Sequence, residues 1–219
     1  MNIIKSHSGI RGIYGKQLTP KIAYKVANSY AKTIQPTKVI VGRDTRKSGI
    51  PLKHAVIAGL TAAGVDVIDV DIAPTPAILL GLKKLNCDGG LIISASHNPP
   101  EWNAIKFAGK EGLLLTSNEV EKVISQINGE AVSPKPGRVS QLDITGIYIE
   151  ELIKQVDQEA IKNAKFKVVV DAGGGAGSHT TPKLLARLGC KVISINSTPG
   201  LFLSLIHISE PTRPRLISY

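Results

Sequence analysis

The residues of this chain best equipped for chemistry stand in one short turn, Ser94-Ala95-Ser96-His97-Asn98-Pro99-Pro100. They follow Leu91-Ile92-Ile93, an apolar run that reads as a buried strand. In open α/β sheets ligands bind beyond the carboxyl ends of the strands, and the turn sits at such an end. Small serine and alanine residues let a ligand approach the backbone. Pro99 pushes Asn98 towards an extended conformation, and the double proline stiffens the far side of the turn. The expected product is a rigid loop presenting Ser96 and His97. By itself the turn is equally compatible with a polar helix cap.

A hydrolase serine would want a G-x-S-x-G elbow, which the loop lacks. A histidine adjacent in sequence rarely folds back as the base for its neighbour. A serine that carries a phosphoryl group and passes it on suits the loop better. Phosphoryl transfer rests on positioning and charge neutralisation more than on a strong base. His97 and Lys106 are the nearest cations in the sequence. Lys106 lies in Asn103-Ala104-Ile105-Lys106-Phe107, beyond the turn. Ser8-Gly9-Ile10-Arg11-Gly12 puts an arginine between glycines, on what reads as flexible backbone. Gly42-Arg43-Asp44-Thr45-Arg46-Lys47-Ser48-Gly49 ends another strand, with Arg43 and Asp44 expected to brace the turn as an ion pair. Asp171-Ala172-Gly173-Gly174-Gly175-Ala176-Gly177 fits neither G-x-G-x-x-G nor the P-loop, and tight strand-to-helix packing accounts for it. His179 reads as an early helix residue and Cys87 as a small core residue.

Alternating strands and helices must position these groups. Helical spacing runs from Leu18 to Ile34, opened by Thr19-Pro20. A strand over residues 38–44, a helix stopped by Gly64, a strand over 65–72 and a short helix from Pro74 precede the serine strand. Residues 103–107 suggest another strand. Thr116 and Glu119, three apart, form a capping box for the next helix. Residues 129–140, with two prolines and no periodicity, are the best linker. Beyond them a long helix is expected over 144–164, then a strand into the glycine loop, a helix to Leu188 and a strand at 190–196. The pattern predicts the α/β class: two three-layer α/β/α domains with mixed, largely parallel sheets, the second incomplete. The domains are placed at 1–130 and 143–202, joined by a linker at 131–142.

The chain has 219 residues, 42% hydrophobic and 20% charged, enough to bury a real core. Its formal charge of +10 favours anionic partners. The basic residues are scattered and aromatics are only 4%, which argues for phosphorylated metabolites and against nucleic acid. No segment has the roughly 18–20 unbroken apolar residues of a membrane span. The first residues lack a signal-peptide pattern, so no membrane association and a cytoplasmic location are expected. Cys87 and Cys190 stand alone, against a zinc site or a secreted disulfide framework.

The serine loop, the arginine stretch and the lysine stretch, in this order and spacing, resemble the phosphohexomutase superfamily, enzymes that interconvert sugar 1- and 6-phosphates. Thr198-Pro199-Gly200-Leu201-Phe202 is similar to a segment of the family's second domain, so the resemblance spans residues 1–202. It implies that Ser96 is phosphorylated and donates to the sugar through a bisphosphorylated sugar intermediate. It implies that Lys106 is a general acid/base, that Arg11 neutralises phosphate and that His97 assists. It further implies a Mg²⁺ bridging the Ser96 phosphate and a set of aspartates. The family's Asp-Gly-Asp-x-Asp-Arg metal loop is not found in this sequence, nor are its sugar-recognition and second phosphate-binding loops. The chain is therefore expected to be an inactive N-terminal fragment. Residues 203–219 resemble a translated sequencing-library adapter and are expected to be a non-native tail. The substrate (glucosamine, glucose or mannose phosphate) and the oligomeric state stay open. The alternative functions are a non-catalytic phosphosugar-binding protein and a basic nucleic-acid-binding protein.

Overall fold

A computed structural model of the chain describes residues 4–200. The tail expected over 203–219, and Leu201-Phe202, lie outside the described residues. The first elements are two short strands, β1 (Ile4–Ser6) and β2 (Gly9–Ile13), paired antiparallel with Ser6 opposite Gly9. Helix α1 (Pro20–Ile34) starts where the Thr19 side chain accepts a hydrogen bond from the Ile22 amide and proline occupies the first turn. Next come β3 (Lys38–Arg43), α2 (Gly49–Ala62), β4 (Asp66–Ile72), α3 (Thr75–Lys84), β5 (Gly89–Ile93), β6 (Trp102–Gly109) and α4 (Ser117–Ser125). The capping box of α4 is present, with Thr116 and Glu119 bonding reciprocally.

One seven-stranded sheet takes the order β1-β2-β6-β5-β3-β4-β7, where β7 is Val139–Gln141. The pairs β5-β3, β3-β4 and β4-β7 are parallel, and β1-β2, β2-β6 and β6-β5 are antiparallel. Helices α1, α2 and α4 bury one face, over Val41, Leu91, Ile93, Ile105 and Phe107. Helix α3 covers the other, over Ile40, Ile92 and Ala108. Leu91, Ile92 and Ile93 are essentially inaccessible. Burying a side chain of this size stabilises by about 1.5–3 kcal/mol, so the strand that carries the serine turn is firmly anchored.

The second unit contains α5 (Thr145–Ile153), α6 (Gln158–Ala164), β8 (Lys167–Asp171), α7 (Thr180–Arg187) and β9 (Lys191–Ile195), with β8 and β9 forming a two-stranded parallel sheet. Helix α5 serves both units. Ile144 and Tyr148 pack into the α3 side of the large sheet, while Ile149 and Ile153 meet Leu184 and Leu188.

Three expectations are corrected. Arg11 stands on a strand paired on both sides, not on flexible backbone. Its glycine neighbours serve close approach: a Cβ on Gly9 would lie 2.0 Å from the Ile105 carbonyl oxygen. The linker contributes β7, which extends the first sheet beside β4. The helix expected over 144–164 breaks after Ile153, because Asp157 caps a new helix by accepting a hydrogen bond from the Ala160 amide at 3.0 Å.

Candidate functional site

The chain leaves β3 over one face of the sheet, through α2, and reaches β5 over the other, through α3. The two parallel strands are neighbours, so their carboxyl ends form a topological switch point, the crevice where α/β sheets bind ligands. Two loops meet there, residues 44–48 and 94–101. The Asp44 amide donates to the Ile93 carbonyl at 2.9 Å and ties the first loop to the root of the second.

The serine turn is closed by its own backbone. The Ser94 amide donates to Ala104 at 3.0 Å, Asn98 to Ala95 at 3.1 Å and Trp102 to Pro99 at 3.0 Å. The Ser96 amide donates to Ser94 Oγ at 3.2 Å. Ser94 and Ala95 are buried, whereas Ser96 and His97 are exposed. Ser96 adopts φ 57°, the left-handed region that L-residues with side chains avoid. Its Oγ lies 3.3 Å from His97 Nδ1, so the adjacent histidine does reach its neighbour's hydroxyl.

Lys106 stands on β6 between Ile92 of β5 and Gly9 of β2, and Arg11 stands opposite Ala104. Cross-strand partners share a sheet face and so do residues two apart, so Arg11, Ala104 and Lys106 belong to one face. Lys106 sits about 7 Å along the strand from the Ala104 row that abuts Ser94. Neither Arg11 nor Lys106 has a side-chain hydrogen bond or ion pair among the described residues. Arg11 also opens on a cavity of about 460 Å³ with Lys5, His7 and Ser117, whose walls include no residue of the serine turn. The structure thus brings Ser96 and His97 into contact and sets Lys106 and Arg11 on the two strands beside them.

The ion pair expected between Arg43 and Asp44 is replaced by two others. Arg43 Nε donates to Asp71 Oδ1 at 2.8 Å, and Arg46 Nε donates to Asp44 Oδ2 at 3.1 Å. Arg43 ends β3 beside β4, where a register shift and the left-handed Asp71, φ 47°, turn that carboxylate towards it. Lys53, buried on α2, donates to Asp69 at 2.7 Å and to Asp71 at 2.8 Å. Burial of the Asp71 carboxyl, which would raise its pKa, is outweighed by hydrogen bonds from Lys53 and Arg43 that hold it low. Lys53, Asp69 and Asp71 wall a cavity of about 700 Å³ shared with Asp143, His179 and Lys183. His179, expected early in a helix, stands as the cap residue just ahead of α7.

The residue that sequence reasoning passes over is Arg46. Its buried guanidinium donates into the serine turn itself, to carbonyls of Ser96, Asn98 and Pro99, and to that of Trp102 at the start of β6. The signal was an arginine on either side of Asp44, without a means of telling which one pairs with it. No group of three or more His, Cys, Asp or Glu among the described residues is placed to hold a metal ion. Those residues therefore do not make up the magnesium site that the resemblance implies.

Two family models match the chain. The α/β/α domain I of phosphoglucomutase/phosphomannomutase matches residues 2–133, and domain II matches residues 147–218. The chain is 44% identical over 201 residues to a phosphoglucomutase/phosphomannomutase of Thermococcus kodakarensis, covering 87% of this chain and 44% of that protein. It is 38% identical over 200 residues to a phosphoglucosamine mutase of Alkaliphilus oremlandii, covering 87% of this chain and 44% of the relative. Among solved structures, a phosphoglucomutase/phosphomannomutase family protein of Burkholderia thailandensis superimposes with a TM-score of 0.79 at 27% identity, covering 90% of this chain and 44% of that one. The chain thus spans less than half the length of these relatives.

Proposed function

The chain belongs to the phosphoglucomutase/phosphomannomutase family, and from that premise we propose that it is the phosphoryl-donor portion of a phosphohexomutase. The proposed reaction interconverts a hexose or hexosamine 6-phosphate and its 1-phosphate. The observation that carries the reading is the exposed, left-handed Ser96 at the switch point, with His97 Nδ1 at 3.3 Å. Arg11 and Lys106 support it, both unpartnered among the described residues on the adjoining strands.

In the first half-reaction the bond between phosphorus and Ser96 Oγ breaks. A new bond forms to the free hydroxyl oxygen of the sugar phosphate, and the hydroxyl proton leaves to Lys106 acting as base. The product is a bisphosphorylated sugar. In the second half-reaction the other phosphoryl group passes to Ser96 Oγ, and Lys106 returns a proton to the sugar oxygen that is left. Arg11 neutralises the phosphate charge, and His97, beside Oγ, assists. Catalysis of this kind rests on fixed charge and alignment, which suits a rigid turn. The family resemblance implies Mg²⁺. The described residues do not assemble its site.

Domain limits of 1–130 and 143–202, with the linker between, belong to this proposal, as does a cytoplasmic location. So does inactivity of the 219-residue chain on its own, which is set against relatives more than twice as long as the part matched. The test is intact-mass spectrometry of the full-length gene product after exposure to glucose 1,6-bisphosphate. A gain of one phosphoryl group in the parent and none in Ser96→Ala is expected. A Ser96→Ala protein with full mutase activity would sink the phosphoserine mechanism. Sustained turnover by the 219-residue chain would sink its inactivity.

A further inference from the structure

We infer that Arg46 is the positioning residue that fixes the geometry of the serine turn, and with it the aim of Ser96 Oγ; its bearing on phosphoryl transfer rests on the function proposed above.

The loop is wound around this one side chain. Nη1 donates to the Pro99 carbonyl at 2.6 Å and to Trp102 at 3.1 Å. Nη2 donates to Ser96 at 3.0 Å and to Asn98 at 2.7 Å. Nε donates to Asp44 Oδ2 at 3.1 Å, and the same carboxylate accepts the Arg46 amide at 3.0 Å. A guanidinium has five N–H donors in a fixed plane, and each has an acceptor here. The side chain is 1% exposed. Four carbonyl oxygens from a seven-residue stretch therefore point inward to one buried cation. That arrangement turns the opposite edge of the loop outward, where Ser96 and His97 are exposed.

The bond to the Ser96 carbonyl bears directly on the reacting group. A non-glycine residue at φ 57° is strained, and such strain persists only where the surroundings over-determine it. The surroundings of Ser96 are the Ser94 hydroxyl on its amide and Arg46 on its carbonyl. Asp44 completes the device: it holds Arg46 by two bonds while its own amide is pinned to the end of β5. The serine strand and the arginine that organises its turn are thus registered on each other. Lysine cannot replace this arginine, because three donors on a single tetrahedral nitrogen cannot serve the five acceptors that the planar guanidinium reaches.

The experiment compares the full-length gene product with Arg46→Lys and Arg46→Ala, by amide hydrogen exchange and by the rate of phosphoryl uptake at Ser96 from glucose 1,6-bisphosphate. Lysine keeps charge and bulk, so it guards against a variant that merely fails to fold. In both variants the amides of Ser96, Asn98 and Trp102 should exchange at least about tenfold faster, the scale expected when charged hydrogen bonds are lost. The amides of β3 and β5 should stay within about twofold. The maximal rate of uptake should fall by at least about tenfold with little change in the half-saturating donor concentration, as when alignment and not binding is lost. Loop protection that is unchanged in both variants, or restored by lysine, overturns the inference. Loss of protection throughout the sheet in both variants overturns it too, in favour of a general structural role. If the parent itself takes up no phosphoryl group, the mutase reading fails, while the exchange comparison still decides the part played by Arg46.

Discussion

Ser96 is held in a backbone conformation that costs a non-glycine residue about 1–2 kcal/mol. Replacing it with glycine removes that strain, so Ser96→Gly should raise stability by about 1 kcal/mol and end phosphoryl uptake. Urea unfolding read beside intact mass checks both halves. A destabilised glycine variant would mean the left-handed turn carries no strain. Thr45, between Asp44 and Arg46, offers a second residue-level expectation. Its hydroxyl is buried without a hydrogen-bond partner. Removing an unsatisfied buried hydroxyl in favour of a methyl of the same shape is neutral or stabilising. Thr45→Val should therefore gain up to about 1 kcal/mol in the same unfolding experiment, and a loss of that size would reveal a partner for the hydroxyl. At this scale the sequence disclosed what is chemically odd, a serine and a histidine before a double proline. It did not disclose Arg46, because hydrogen bonds to carbonyls 50 to 56 residues away leave no local pattern.

Elements with a clean period were legible: α1 with its threonine cap, α4 with its capping box, and the buried strand β5. The strand β2 was not, because glycines at Gly9 and Gly12 suggest flexibility where they serve close packing. Nor was the break between α5 and α6, where hydrophobic periodicity continues and Asp157 restarts the helix. The seating of α5 on α3 depends on another glycine. A Cβ on Gly81 would lie 1.8 Å from Ile144 Cδ1. Overpacking of this kind costs about 1–3 kcal/mol, so Gly81→Ala should destabilise by that amount, and the double variant with Ile144→Ala should recover part of it. Strict additivity of the two changes would show that the contact is absent. The link from β3 and α2 to β4 is electrostatic. Against the opposing effect of burial, Lys53 and Arg43 hold the Asp71 carboxyl below its ordinary value of 3.8. A carboxyl depressed in the folded state lends stability that is full above its unfolded pKa and is lost as pH falls through the folded one. Below about pH 4 the parent should lose stability more steeply than Asp71→Asn, and matching acid-unfolding curves would exclude the contribution.

Over the described residues the molecule is unevenly built. The central strands of the large sheet are buried on both faces, one under α1, α2 and α4, the other under α3 and α5. The second unit, in contrast, has a core centred on Ile149, Ile153 and Leu188, and Val169 and Ile193 on its two strands are more than half exposed. A two-stranded sheet is marginal on its own, and opening free energies follow local burial. Amides at 168–170 and 192–194 should therefore exchange at least about a hundredfold faster than those at 91–93 in the 219-residue chain. Equal protection would mean that the two units unfold as one body, coupled through α5. The expected inequality has a functional sense. Ser96, His97, Arg11, Lys106 and the organising Arg46 all stand on the large sheet or on loops at its end. The parts proposed to carry and aim the phosphoryl group thus ride on the body that opens least, so the donor geometry should persist while the second unit fluctuates.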